Sequence, residues 1–527
     1  MKKILAFILA AIMMLTLCAC GGGNGTGEGS GAPVQASNID NEKYQYPLTK
    51  DVTLKILVPS SSSWPVRDDW KVWEYMSEGA NVTLDIMGVP AEEVGTKLPL
   101  MMSDPTEIPD ILAGSMNSGY DKYADQGVVA LDDLEAYMPN YNAWLDSLTD
   151  DEYAVAVTNR KEANGKIYYT PGSGREGRTR MRAWLYREDI FKKHNLKVPE
   201  TFDDLYKVCK KLKTLYPDSY PFCTRSEYLF DIPGSSFDKW WEHDVYYDYD
   251  DGEWRWGATE DTAKEVIEFY KKMIAEGLMP ADTITLDNTK WEEYILTGRG
   301  FILPHLQLRI DYFNSRAQAT NPEYKITAMK PPVANEEKGA PMVDRGDLEM
   351  IGYAIGQTDS EESIANSAKF IDWLYTDEAV ELVSWGKEGE TFEWVNKEEG
   401  QRRYITNENN DQANTMYGFQ LYGTFARLDP TAAQALQSET TLECEDIVIE
   451  GTLPYHNPAM WVAFNEDEQV IIDEKLQAIQ NYTKEMMTKF LLGQESMSKY
   501  DEFVETLKSM GVQDVLDVYE AAYERVQ

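Results

Sequence analysis

Apolar positions recur along this chain first with a strand's continuity and then with a helix's spacing, and the two alternate. Asp51-Val-Thr-Leu-Lys-Ile-Leu-Val58 ends in an unbroken apolar run and stops at Pro59 and a run of serines. A helix is expected over about residues 68–77, a strand over 82–87, a helix over 92–102 and a short buried strand over 109–112. Strand, helix, strand, helix, strand is the βαβ rhythm of a parallel sheet. In open sheets of that kind ligands sit beyond the carboxyl ends of the strands. Those ends are the loops at residues 60–64 and 113–118.

Further on, residues 118–148 read as helical, broken at Gly127 and Pro139. Strict alternation over residues 178–186 puts Arg178, Arg180, Arg182, Trp184 and Tyr186 on one face of a strand. Helices follow over about 187–194 and 202–215, the second capped by Thr201 or Asp203. Asp250-Asp251-Gly252 marks a hairpin between aromatic strands. Helices are expected over 262–276 and 291–297, and a strand over 300–305 leads into another helix. A strand over 350–356 precedes helices over 360–375 and 377–385, and three more helices close the chain over about 467–492, 498–509 and 513–526.

The first residues follow a different pattern. Lys2 and Lys3 precede an apolar run, residues 4–17, that falls short of the roughly 20 residues a membrane span needs. It suits a secretory signal. Leu17-Cys18-Ala19-Cys20 resembles a bacterial lipobox, in which Cys20 is lipidated and becomes the new N-terminus, anchoring the protein without spanning the membrane. Residues 21–45, rich in Gly, Asn, Ser and Glu, read as a flexible tether. The 527 residues carry a net charge of −40, spread along the chain, which argues against nucleic acid as a partner. Cys209, Cys223 and Cys444 form no metal-ligand spacing. Cys209 and Cys223 are candidates for a disulfide or for small buried side chains. The Asp248–Gly252 run does not match the offsets of an EF-hand loop, so neither a metal nor a cofactor is expected.

The chain resembles the family 1 extracellular solute-binding proteins, the sugar-capturing subunits of ABC importers, and is closest to the large lipoprotein members common in Gram-positive bacteria. The resemblance lies in the order and spacing of KLPLMMSDPTEIPDIL (97–112), YADQGVVALDDLEAYMPNYN (123–142), NGKIYYTP (164–171), WLYREDIFKKHNLKVPETFDDL (184–205), FYKKMIAEGLMP (269–280), AKFIDWLYTDEAVELV (368–383) and WGKEGETF (385–392). The sequence departs from the family at Lys387, Thr391 and Phe392, which replace an Ile, a His and a Tyr, while Glu388 and Gly389 match. The family's usual tryptophan after the Gly300 strand is absent, and His305 and Leu306 stand near it. The resemblance implies an α/β, two-lobed periplasmic-binding-protein-like fold of type II, with an interlobe ligand cleft and hinge crossings near residues 165–175, 345–352 and 390–420. It divides the chain into a signal peptide (1–19), the tether (20–45), an N-terminal lobe (about 46–165 and 350–395) and a C-terminal lobe (about 166–349 and 396–527). It also implies a monomer that binds an oligosaccharide and delivers it to the transmembrane subunits of an ABC permease, and no catalysis. An extracellular glycoside hydrolase, or a glycan sensor or adhesin on the same fold, are the competing readings.

Sugars offer a flat C–H face and many hydroxyls, so a binder needs aromatic platforms and planar polar groups. The chain has 14 Trp and 32 Tyr, an aromatic content of 12% that reads as more than its core requires. Trp64, in the loop after the first strand, is the leading candidate platform. Trp240 and Trp241 are adjacent, so one is expected in the cleft and the other in the core. Trp385 and Trp461 are further platforms, with core packing the alternative for Trp385. Arg180 and Arg182 either recognise a carboxylate on an acidic sugar or pair with surface acids. Asp110, Ser115, Glu388 and His305 complete the candidate set, and Asp110 and Glu388 are equally suited to anchoring a turn.

Overall fold

The computed structural model describes residues 34–526, apart from 61–64, 116–122, 125–126, 175–181, 226–227, 239–240, 249–250, 335–341, 345–347, 350, 407–411, 420–425, 452 and 456–461. The signal peptide and Cys20 therefore lie outside the described residues.

The expected βαβ rhythm builds the first sheet. Thr53–Ser60 lies parallel to Thr83–Pro90 on one side and to Ile111–Ser115 on the other. Ile351–Gly356 joins antiparallel to Ile111–Ser115, and Val128–Val129 closes the far edge. Both faces are buried, which is why the first strand reads as a continuous apolar run and not an alternating one. Leu54, Ile56 and Val58 enter one core with Ile111 and Ala113, while Leu57 and Leu112 enter a second on the opposite face. Helices Lys71–Gly79 and Glu361–Trp373 supply the first of these cores with Trp73, Tyr75, Phe370 and Ile371.

A second sheet runs antiparallel in the order Ile326–Met329, Arg182–Arg187, Ile302–Leu306. Its two faces also feed separate cores. Trp184 and Tyr186 pack with helices Phe202–Leu215 and Asp261–Ala275, and Ala183 and Leu185 with Trp291, Phe313 and Cys444. Thr201 caps the Phe202–Leu215 helix by accepting from the Asp204 N–H at 3.1 Å. The C-terminal helices Glu466–Leu491, Tyr500–Met510 and Val512–Val526 complete this lobe.

Several expectations change. Residues 34–45 are folded onto the first lobe and are not tether: Ala36, Ile39 and Tyr44 are buried in its core. Tyr44 donates to Glu361 at 3.0 Å and Tyr46 to Glu362 at 2.6 Å, so this segment straps the helix Glu361–Trp373. The stretch expected as helix over 118–148 holds the short strand Val128–Val129, a tight helical turn at Leu131–Tyr137 and a helix only at Pro139–Leu145. Residues after 395, expected with the second lobe, stay with the first. The hairpin Phe392–Asn396 and Gln401–Tyr404, together with Phe419, Leu428 and Ala432, packs in the first core, and the chain reaches the second lobe's core only by Cys444. Cys209 and Cys223 are free and buried, not paired.

The chain leaves the first lobe where Thr170 meets Ile351–Gly356. The Thr170 N–H donates to the Tyr353 carbonyl at 3.0 Å, and the Tyr353 N–H donates to Thr170 Oγ1 at 2.9 Å. A side chain on Gly352 would place its Cβ 1.7 Å from the Thr170 carbonyl oxygen, so only glycine allows this approach. Gly352→Ala should therefore lower stability by about 1–3 kcal/mol in urea unfolding. An unchanged midpoint would contradict this close packing.

Candidate functional site

The site follows from the topology. The parallel strands of the first sheet point their carboxyl ends toward Ser60 and Ser115, and the Cα of Ser115 pairs with that of Ile351. From that edge the crossing segments run side by side. Gly172–Ser173 pairs antiparallel with Leu348–Glu349. On its other side the Ser173 N–H donates to the Ala426 carbonyl and the Leu428 N–H to the Ser173 carbonyl, both at 2.9 Å. The strip is thus three backbone segments wide, and the third crossing, expected within 390–420, comes only after Leu436, which still packs on the first core. Gly174 takes φ +87°, and a Cβ there would sit 2.1 Å from the Leu428 carbonyl oxygen. Tyr375 donates to the Pro171 carbonyl at 2.6 Å, tying the crossing to the first lobe.

The crossing then enters the second sheet at Arg182, whose Cα pairs with that of Leu306. Residues 182 and 305–309 therefore form the edge of the second lobe that faces the hinge. His305 lies there, 1% exposed, with its ring stacked on Trp291 at 4.6 Å and tilted against Tyr228 at 4.4 Å. Its Nδ1 accepts the Leu306 N–H at 2.7 Å. Burial first, then the Arg309 and Arg225 guanidiniums, hold the imidazole well below its usual pKa, so it is neutral and carries its proton on Nε2. Arg309 donates to Glu292 at 2.8 Å and to Asn288 at 3.0 Å, and Arg225 reaches the same Asn288 oxygen at 3.2 Å. Gln307 is fully buried and donates from Nε2 to the Thr441 carbonyl at 3.0 Å, just inside the helix Glu439–Gly451 that follows the third crossing.

The candidate residues named from sequence divide sharply. His305 and Arg182 stand at the hinge-facing edge. Ser115 ends its strand at the corresponding edge of the first sheet. Trp64, Arg180, Trp240 and Trp461 lie outside the described residues. Ser60 Oγ accepts the Val66 N–H at 3.0 Å.

The remaining four serve structure. Trp241 is 1% exposed, donates to the Gly257 carbonyl at 3.3 Å and meets Phe230 edge-on, so it is a core residue. Trp385 is equally buried, stacks on Tyr404 at 4.8 Å and donates to Asp429 at 2.8 Å. Asp110 sits just before its strand, at the end opposite Ser115. It accepts the Lys55 N–H at 2.7 Å and the Ser363 hydroxyl, locking strand to strand and strand to helix. Glu388 is turned to solvent and pairs with Lys397 at 3.3 Å.

A cavity of about 280 Å³ lined by Arg187, Thr297, Arg316, Asn321 and Tyr324 opens at the other end of the strand Arg182–Arg187, away from the hinge. Arg187 there is already paired with Asp189 at 2.6 Å and stacked over Tyr324 at 3.8 Å. Among the described residues no cluster of His, Cys, Asp or Glu is placed to hold a metal, and no helix is long and apolar enough to cross a membrane.

Known proteins share this architecture. The family model described as bacterial extracellular solute-binding protein matches residues 66–381. The lipoprotein LipO of Bacillus subtilis is 21% identical over 493 residues, covering 90% of this chain and 92% of that protein. The fructooligosaccharide ABC transporter substrate-binding protein FusA of Streptococcus pneumoniae is 23% identical over 528 residues, covering 92% and 93%. The crystal structure of the alginate-binding protein AlgQ2 without calcium superposes with a TM-score of 0.71 at 21% identity, covering 90% of this chain and 99% of that one.

Trp241→Ala should cost about 3–5 kcal/mol of stability and leave the solute affinity of the folded protein unchanged. Asp110→Ala should likewise destabilise, by about 1–3 kcal/mol, without touching affinity. Calorimetry on either folded variant showing weakened binding would return that residue to the site.

Proposed function

The chain belongs to the bacterial extracellular solute-binding protein family, and from that premise we propose that it captures an oligosaccharide between its lobes and delivers it to the membrane subunits of an ABC importer. As a member it is a binding protein and not an enzyme. The observation that carries the reading is the three-segment hinge at the carboxyl edge of the first sheet. It joins two separately cored lobes, and such lobes can close over a solute and open again. Closure gives a permease a difference to recognise between loaded and empty receptor. Fructooligosaccharide-binding FusA and alginate-binding AlgQ2 support a saccharide as the solute class. Fructooligosaccharides are neutral and alginate is a polyuronate, so kinship leaves the ligand's charge open.

We further propose lipidation at Cys20, holding a monomer on the outer face of a Gram-positive cell membrane. LipO is named a lipoprotein, and residues 17–20 of this chain carry the matching motif.

Thermal unfolding with a panel of neutral and acidic oligosaccharides tests the function. One of them, at a hundred times its Kd, should raise stability by about 2.7 kcal/mol. Chromatography should recover it uncut. Cleavage would make the protein a glycoside hydrolase, and a panel without any shift would remove saccharide from the account. Cys20→Ala should move the protein from the membrane fraction to the medium. Its retention on the membrane would refute the lipid anchor.

A further inference from the structure

Three polar atoms within five residues lack a partner at the hinge-facing edge of the second lobe. His305 Nε2, Gln307 Oε1 and Arg309 Nε are all buried and make no hydrogen bond among the described residues. His305 and Gln307 are at most 1% exposed. A buried polar atom left unsatisfied is costly, so three in one short stretch is an unfavourable arrangement unless something completes it.

Their chemistry is specific. The neutral His305 offers one N–H from Nε2, since Nδ1 is occupied by the Leu306 N–H. Arg309 has its terminal nitrogens on Glu292 and Asn288, which leaves Nε–H as a second donor. Gln307 has its NH₂ on Thr441, which leaves its oxygen as an acceptor. Two N–H donors, one of them cationic, and one carbonyl acceptor within five residues complement a group that presents a carboxylate and a hydroxyl together. The rings of Trp291 and Tyr228 hold the His305 imidazole in place, so the donor is fixed before any ligand arrives.

Position agrees with chemistry. Leu306 pairs with Arg182, where the first crossing enters this lobe, and Gln307 bonds to Thr441, where the chain arrives from the third. Residues 305–309 therefore lie where two of the crossings meet the second sheet.

We propose that His305, Gln307 and Arg309 form the second-lobe half of the solute site and select a sugar acid, a uronate whose carboxylate takes the His305 and Arg309 N–H groups and whose hydroxyl donates to Gln307. The inference rests on the proposed capture of an oligosaccharide and adds its charge class.

Calorimetry on the purified protein with short oligomers of galacturonate, mannuronate and glucuronate, each beside its methyl ester, tests it. The ester keeps the shape and hydroxyls and removes the charge. At least one free acid should bind about tenfold or more tighter than its ester, because charge-assisted hydrogen bonds are stronger than neutral ones. His305→Phe keeps the ring stack and removes the donor, and should weaken the acid by a similar factor while leaving any residual binding of the ester in place. Equal affinity for acid and ester, or an acid whose binding is indifferent to His305→Phe, overturns the inference. Binding of neutral kestose with no acid bound also overturns it, while the saccharide reading survives. If neither acids nor neutral sugars bind, both readings fall. Should His305→Phe fail to fold by circular dichroism, the acid-to-ester ratio of the unaltered protein decides alone.

Discussion

The fold depends on a strip of backbone hydrogen bonds. Residues 170–174 lie between 348–349 and 351–353 on one side and 426–428 on the other, and each neighbour bonds to the strip through main-chain groups. Buried backbone donors and acceptors must be paired, so the segments that join the lobes cannot separate without losing those bonds. The joint is therefore a narrow sheet-like hinge and not a pair of loose linkers. Its closeness is set by Gly174 and Gly352, where any side chain would collide with a neighbouring carbonyl oxygen.

The aromatic richness of the chain is spent mostly on cores. Trp184, Trp241, Trp256, Trp291 and Trp385 are each fully buried. Two lobes, each with a sheet covered on both faces, need four apolar layers, and indole rings fill them efficiently. Trp254 extends the same use, packing on Tyr519 of the last helix at 4.8 Å and not on its own hairpin alone. Counting tryptophans therefore overstated the number available to a sugar. At the described part of the second-lobe edge the chemistry comes from histidine, glutamine and arginine set at a strand end. One buried tryptophan, Trp291, serves there as a backing plate for His305.

Regular elements with strong local signals were legible in the sequence. The helix Phe202–Leu215 follows its Thr201 cap, and the hairpin Val245–Asp248 and Glu253–Trp256 turns around Asp251-Gly252 as read. The βαβ opening was legible because strands buried on both faces leave continuous apolar runs. Less visible were features set by tertiary contacts. The hairpin at 392–404 carries Glu393, Arg402 and Arg403 among its apolar positions, which masks the strand pattern, and its assignment to the first lobe comes from Phe392 and Tyr404 packing around Trp385. Asp110 looked like a ligand residue because a carboxylate near a short strand has no distinguishing local signature. Its two partners, Lys55 and Ser363, are far off in sequence. Gln307 and Arg309 went unnoticed for a related reason: what marks them is the atom each leaves unpaired, and that appears only once the other hydrogen bonds are drawn.

A tethered clamp that shuts on an unaltered solute is the claim on which the rest stands, and small-angle X-ray scattering of the purified protein with and without a bound oligosaccharide addresses it directly. The hinge predicts a smaller radius of gyration in the loaded state, with the lobes themselves unchanged in shape. An identical scattering profile at saturating ligand would mean a rigid body that binds without closing, and the account of the hinge would fail.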